Sequence, residues 1–439
     1  MDLIKNKKTN FISFDGSFSA STLHQRPDRF RMLEDKNFQI ARGAGLSYAP
    51  ASFGNNTLVK EILCFNRILE FSESEKIIIV EGGTTLKKIL EWCVSKNLYF
   101  PVLPGWPDIT VGGCIAANAH GKNPHKDGSF VKHVKWIELY NPTFGYKRVS
   151  RINDSKIFDA TCGGLGLTGI ITKVALLLKE LPSNSIMIEP RKVENLEESL
   201  KIMNDNSDSD VLYSWHIGST FFNFGKGIVR IGSFSKDSQL DRVIPPTKKL
   251  KSGNKKIPFS FWNNFSSSFV NTINREVELS KGVVKKNLFS GLFPFVDRAS
   301  IFYSLYGKNG FNEYQILIDH NYSNEFINHL YKLIKTNNPP LTFLFMKLFS
   351  GEQKYIRFSK SGLSIILNLK HCKDTLDFLN KLDEIVISFN ALPYIIKDSR
   401  LSKRVVEKCY PQYHEFKMVL NEIDPKRIFK SELSERLDL

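Results

Sequence analysis

The segment Gly112-Gly113-Cys114-Ile115-Ala116-Ala117-Asn118-Ala119-His120-Gly121 constrains this chain more than any other. Apart from Ile115, Asn118 and His120 its side chains are all small or short. Small residues let a backbone approach a flat ligand closely, and a structural turn alone does not need so many in succession. Two other glycine-rich segments accompany it. In Arg42-Gly43-Ala44-Gly45-Leu46-Ser47-Tyr48, glycines spaced by one residue let backbone N–H groups converge on an anion. Ser47 adds a hydroxyl donor and Arg42 a positive charge; a tight turn between strands would look the same. The third, Gly163 to Gly169, matches GxGxxG at Gly164, Gly166 and Gly169. A dinucleotide-binding Rossmann turn needs a strand before it and a helix after it. Here Ser155–Thr161 reads as a helix and Ile170–Val174 as a strand, which argues against that fold.

The 439 residues are enough for two or three domains with their own cores. Residues 1–180 alternate strand-like runs (Lys76–Glu81, Val134–Leu139) with a helix over Thr85–Ser95, where Leu86, Ile89, Leu90 and Cys93 recur at helical spacing. Residues 181–395 carry strand-like runs at Asp210–Gly218, Gly227–Phe234, Glu313–Asp319 and Leu363–Leu369, with helices over Asn324–Thr336 and Thr375–Phe389. The expected fold class is α+β: a first domain of two α/β subdomains, then a cap domain with an antiparallel sheet covered by helices. Residues 396–439 form a partly helical C-terminal segment, with Leu401–Tyr410 and Tyr413–Asn421 separated by Pro411. About 244–295 the cap carries a Pro/Lys/Gly-rich stretch that turns apolar and aromatic. It is expected to be a mobile basic loop; an ordinary insertion with one buried helix is the competing reading.

The net charge of +16 favours anionic partners, and an evenly spread lysine surface would give the same sum. No nucleic acid is expected, because the basic residues lack interleaved stacking aromatics. Cysteines 64, 93, 114, 162, 372 and 409 form no CxxC pair and no zinc-spaced cluster, so no metal is expected and the thiols read as reduced and cytoplasmic. The N-terminus lacks the apolar core of a signal peptide, and no run of about 18 apolar residues exists to span a bilayer.

Taken together and in this order, the three glycine-rich segments resemble the FAD-binding (PCMH-type) domain of the vanillyl-alcohol-oxidase family. The likeness is greatest to its decaprenylphosphoryl-ribose oxidase branch. It rests on His120-Gly121-Lys122-Asn123-x-His125, Gly128-Ser129-Phe130, His133 and Gly166-Leu167-Thr168-Gly169. It continues through Glu313-Tyr314-Gln315, Lys347-Leu348-Phe349, Tyr394 to Arg400, and Asp424-Pro425-x-Arg427-x-Phe429.

The resemblance implies FAD as cofactor, contacted by Arg42, Gly43, Ala44, Gly45, Leu46, Ser47, Tyr48, Gly105, Thr110, Val111, Gly112, Gly113, Ala117, Asn118, Ala119, His120, Ile170 and Tyr394. The substrate side would be Lys122, Trp215, Gln315, Lys347, Phe349, Ser364 and Ile366. At the last two positions the branch has Asn and Cys, so the pocket departs from its pattern there. Leu46 stands where covalent members often carry His, which implies non-covalent FAD; Cys114 is expected to be a packed thiol. Lys397 and His120 are the candidates for proton handling. A lysine serves as base only if burial or positive neighbours lower its pKa; otherwise Lys397 stays charged and binds the hydroxyl or a phosphate.

The implied activity is oxidation of a secondary sugar hydroxyl, the 2'-hydroxyl of a polyprenyl-phosphoryl pentose, by hydride transfer to flavin N5. It would be the first half of an epimerisation that a separate short-chain reductase completes. An aldonolactone or alditol oxidase, acting on a soluble polyol with oxygen as acceptor, is the alternative. Lys248 to Phe269 would serve a lipid phosphate, with lysines for the phosphate and Phe259, Phe261 and Trp262 for the chain. That places the protein at the inner face of the membrane as a peripheral, cytoplasmic enzyme.

Overall fold

The computed structural model describes residues 6–35, 37–236 and 257–439. Two large sheets form within the first 180 residues, beside a two-stranded pairing of Leu98–Tyr99 with Lys179–Glu180. One has the strand order Lys7–Ile12, Ser19–Gln25, Leu58–Glu61, Gln39–Arg42, with an antiparallel first pair and parallel neighbours after it. The other is antiparallel, in the order Ile68–Ser72, Ile77–Glu81, Ile170–Leu177, Val134–Asn141, Gly145–Ser150. Its middle strand follows the third glycine segment directly and is preceded by the Ser155–Thr161 helix. The GxGxxG match therefore does not open a helix. Gly164 and Gly169 serve close packing: a Cβ would stand 1.8 Å from the Ala160 carbonyl oxygen and 2.5 Å from that of Tyr140. The Leu86–Val94 helix starts where expected, capped by the Thr85 hydroxyl, and buries Leu86, Ile89, Leu90 and Cys93.

The cap is an eight-stranded antiparallel sheet. Its order is Val284–Asn287, Ser185–Val193, Gly227–Phe234, Val211–Ile217, Leu341–Phe349, Gly362–Lys370, Phe311–Asp319, Leu392–Pro393. Alternation along these strands sends successive side chains to opposite faces. Ile316, Leu344, Met346, Ile365 and Leu367 share a core with Leu330 and Ile334 of the Ser323–Asn337 helix and with Phe378 and Leu382 of the Lys373–Ser388 helix. The intervening residues, Trp215, Gln315, Phe345, Lys347 and Ile366 among them, line a cavity on the other face. The fold is α+β. The C-terminal segment returns to the first sheet: Gln39 N donates to Ile428 O at 2.9 Å and Lys430 N to Gln39 O at 3.1 Å.

Within the small-residue segment, Val111–Ala117 forms a short helix capped by Thr110. Its glycines let it lie against the neighbouring backbone; a Cβ on Gly112 would come 3.0 Å from the Gly82 carbonyl oxygen. The stretch expected as a loop about 244–295 is regular from its middle onward, with helices Asn264–Ser280 and Leu288–Leu292 and strand Val284–Asn287. Lys248 to Lys256 lie outside the described residues. Trp262 is buried, clustered with Tyr48, Tyr306 and Phe311, so it cannot offer its ring to a lipid chain. Phe259 and Phe261 are exposed.

Candidate active site

The expected site residues converge on one cavity of about 930 Å³, at the upper end of the size range of ligand pockets. Its floor is built from all three glycine segments, the third contributing Leu165, Gly166 and Gly169. Strand Gln39–Arg42 ends just before Gly43, and no backbone N–H from Gly43 to Tyr48 donates a hydrogen bond to any group among the described residues. Folded proteins pair nearly all such donors unless water or a ligand takes them. A run of free amides around Gly45, which has φ +67°, is an anion cradle. The segment sits tightly against the capped helix: a Cβ on Gly43 would stand 2.2 Å from Thr110 Oγ1. Arg42 supports this loop from behind. Its guanidinium donates to Ser52 Oγ at 2.7 Å and lies over the Phe11 ring, and burial pulls its pKa down to about 10.

The opposite wall is polar and crowded with cations. The Gln315 amide donates to His120 Nε2 at 2.9 Å and to Ser364 Oγ at 3.1 Å. That leaves the imidazole proton on Nδ1, facing the Gly121 carbonyl at 3.3 Å. Burial, then the positive charge of Lys347, holds the His120 pKa well below its usual value, so the ring is neutral. Lys347 Nζ donates to Gly121 O at 3.2 Å. Burial, reinforced by the charges of Lys122 and Lys397, holds its pKa well below the ordinary lysine value. Lys397 Nζ pairs with Glu313 Oε1 at 2.9 Å and sits 3.7 Å from the centre of the Tyr48 ring. Asn368 Nδ2 donates to the other Glu313 oxygen at 2.7 Å. Tyr394 links the two domains: its hydroxyl donates to Ala117 O at 2.9 Å, and its ring stacks on Phe358 at 4.4 Å.

Of the expected residues, Gly43 to Tyr48, Gly105, Thr110, Gly112, Gly113, Ala117, Ala119, His120 and Tyr394 line the cavity, as do Lys122, Trp215, Gln315, Lys347, Ile366 and Lys397. Six others stand behind the wall. Arg42 and Ser364 are placed above. Val111 is in the core of the first domain. Asn118 ends the short helix at φ 45° and donates to Phe358 O. Ile170 packs with Tyr140 and Phe429. Phe349 meets the His120 ring edge-on at 4.9 Å. Glu313 and Asn368 were not singled out from the sequence, although alternation from Gln315 and Ile366 points to both. Arg230, Tyr303 and Glu278 carry no comparable sequence signal.

Comparison with known proteins decides what the cradle holds. Residues 28–145, which contain the first two of the three cavity-lining glycine segments, match the family model described as the FAD binding domain. The chain carries an FAD-binding domain of the PCMH type. It is an FAD-dependent oxidoreductase. The chain is 27% identical to decaprenylphosphoryl-beta-D-ribose oxidase of Mycolicibacterium smegmatis over 91% of its own length and 89% of that protein. It is 22% identical to probable L-gulonolactone oxidase 6 of Arabidopsis thaliana, over 88% of this chain and 71% of the relative.

The residues present fit FAD. The unpaired amides of Gly43 to Tyr48 suit its pyrophosphate, and the small side chains of Gly112, Gly113, Ala116 and Ala117 leave room for a flat ring. Cys114 is fully buried, and desolvation pushes its thiol pKa well above the usual value, so no thiolate is presented.

Proposed function

We infer that the enzyme oxidises the 2'-hydroxyl of a polyprenyl-phosphoryl pentose to a ketone, as the first half of an epimerisation that a short-chain reductase completes. The observation that carries this reading is one cavity joining an anion cradle to a buried cluster of Lys347, Lys397, Gln315 and Glu313. Bound non-covalently, FAD would supply the two-electron hydride acceptor for the substrate carbon. Gly43 to Tyr48, Gly105, Thr110, Gly113, Ala117 and Tyr394 would hold it.

The rest belongs to the chain's own side chains. Lys347 is the group that takes the hydroxyl proton, because its depressed pKa makes the free amine accessible. Lys397, ion-paired with Glu313, holds the substrate oxygen. His120 is neutral and turns the Gln315 amide toward the sugar. Phe295, Phe302, Phe343 and Phe345 line the cavity further out and suit an isoprenoid chain.

The Asn264–Ser280 helix lines the cavity through Asn274 and Glu278 and exposes Phe265, Phe269 and Ile273 along its outer face. Next to it in sequence come Lys248, Lys249, Lys251, Lys255 and Lys256. An apolar stripe beside a basic run suits an anionic lipid surface, so the enzyme docks on the membrane that holds its substrate. No helix among the described residues is long and apolar enough to cross a membrane.

The test is anaerobic bleaching of the purified holoenzyme. Farnesyl-phosphoryl-ribose is expected to reduce the flavin. Bleaching by an aldonolactone or xylitol instead would favour the alternative, a soluble polyol oxidase, which the relative named a gulonolactone oxidase supports.

A further inference from the structure

Seven lysine and arginine side chains line the cavity; Lys281, Lys285 and Lys286 lie on and beside the Val284–Asn287 strand, and of the other four, three are accounted for. Lys397 has Glu313. Arg230 is held bidentately by Glu278 and donates to Tyr213 Oη at 2.6 Å. Lys347 donates to the Gly121 carbonyl and is driven toward its neutral form by its neighbours. Lys122 is different. It is 7% exposed, it lines the cavity, and its ammonium has neither a hydrogen bond nor an ion pair among the described residues. Its Nζ lies 4.0 Å from where a Cβ would stand on Gly105, in the floor of the cavity. The strand carrying Tyr213 and Trp215 fixes its backbone: Leu212 N donates to Lys122 O at 3.0 Å.

A buried, unanswered charge is costly, and proteins keep one where a ligand supplies the counter-ion. Burial, with the charges of Lys397 and Arg230, brings the Lys122 pKa down to about 8, so the ammonium is still largely protonated at neutral pH. The Trp215 indole N–H, also on this wall, is directed at the Glu278 carboxylate, which leaves the Lys122 ammonium as the unanswered group.

We propose that Lys122 is the anchor for a negative charge on the substrate, the phosphodiester that joins sugar to lipid. The Lys122 ammonium has no carboxylate partner among the described residues, and a phosphodiester would answer it with one negative charge. The position agrees as well. In a 1-phosphoryl sugar the phosphorus and the 2-hydroxyl sit on adjacent carbons, and Lys122 neighbours both Lys347 and Lys397. This inference rests on the proposed substrate class, and it names the residue that reads the phosphate.

The test uses ligands that cannot react. Farnesyl-phosphoryl-2-deoxyribose and the neutral farnesyl 2-deoxyriboside are titrated into holoenzyme by calorimetry, in parallel with the flavin spectrum. The diester is expected to bind at least about tenfold more tightly than the neutral glycoside, a difference of about 1.4 kcal/mol. Lys122→Gln should abolish that preference while the variant keeps its flavin and melting temperature, and Lys122→Arg should restore part of it. Glu278→Gln frees the charge of Arg230 and should tighten diester binding, whereas a purely structural role for this wall would weaken it. Equal binding of the two ligands to the wild type, or a preference retained in Lys122→Gln, overturns the proposal. If the diester binds through Lys122 but farnesyl-phosphoryl-ribose leaves the flavin oxidised, the anion site stands and the oxidation reading falls. If farnesyl-phosphoryl-ribose bleaches the flavin but the diester preference survives in Lys122→Gln, the anion site at Lys122 alone falls.

Discussion

Gly43→Ala probes the seam between the amide cradle and the capped helix. The new Cβ would stand 2.2 Å from Thr110 Oγ1 and 3.2 Å from Thr110 Cβ, far inside ordinary contact. Either the loop backs away from the helix or Thr110 gives up its hydrogen bond from Gly113 N, 3.2 Å long. Losing the cap costs about 1 kcal/mol, and overpacking a tight contact adds about 1–3 kcal/mol. The loop is the part free to move, so the cost falls on the cofactor. FAD affinity should drop by about 2–4 kcal/mol, roughly 30-fold to 1000-fold. The assay is titration of FAD into apoprotein, followed by quenching of flavin fluorescence. Thr110→Ala in the same chain removes the nearest atom and should recover part of the loss, a coupling that a double-mutant cycle measures. Gly145→Ala, at the start of the Gly145–Ser150 strand, meets nothing within 4 Å but has φ +72°; it controls for backbone strain at a site that does not line the cavity. Unchanged FAD affinity in Gly43→Ala would refute the claim that these two segments together form the cradle.

Other consequences are equally direct. Flavin reduction by substrate should rise with pH and level off above the Lys347 pKa, which lies well below the ordinary lysine value; stopped-flow bleaching across pH reads this limb. Lys122→Gln removes one of the two positive neighbours that disfavour the ammonium, so the Lys347 pKa increases and the limb moves to higher pH. Lys347→Met should lower the reduction rate at saturating substrate by about 10²–10⁴-fold, the usual worth of a general base. Phe265→Asp with Phe269→Asp should weaken cosedimentation with phosphatidylglycerol vesicles and shift stability by no more than about 0.5 kcal/mol per site, since both rings are more than half exposed. Arg400→Met strips Asp383 and Asp398 of their shared partner. It should destabilise the fold by about 3–5 kcal/mol, read as a lower urea midpoint.

What the sequence could reveal follows from the range of each signal. The Leu86–Val94 helix was legible because its cap, its buried stripe and its length are all local. The cap strands were legible because alternation is local as well, and it also marks Glu313 and Asn368, one step along from Gln315 and Ile366, as cavity residues. The helix at Val111–Ala117 was not legible. Glycine and alanine are there for a close approach to Gly82, and composition cannot separate that from an open loop. The same limit hid the role of Arg42, whose charge reads as a phosphate ligand but whose burial places it beneath its own loop. Trp262 reads as lipid-facing beside Phe261, yet it turns inward to an aromatic cluster built from residues far away in the chain. The Arg230–Glu278 pair joins residues 48 positions apart, and nothing local announces it.

The claim on which all of this depends is that the free amides of Gly43 to Tyr48, closed over by the small-residue helix, hold FAD. Purified protein should show the visible absorption of an oxidised flavin, and acid precipitation should release an equimolar amount that chromatography identifies as FAD. A colourless protein that takes up no FAD after reconstitution would contradict the account.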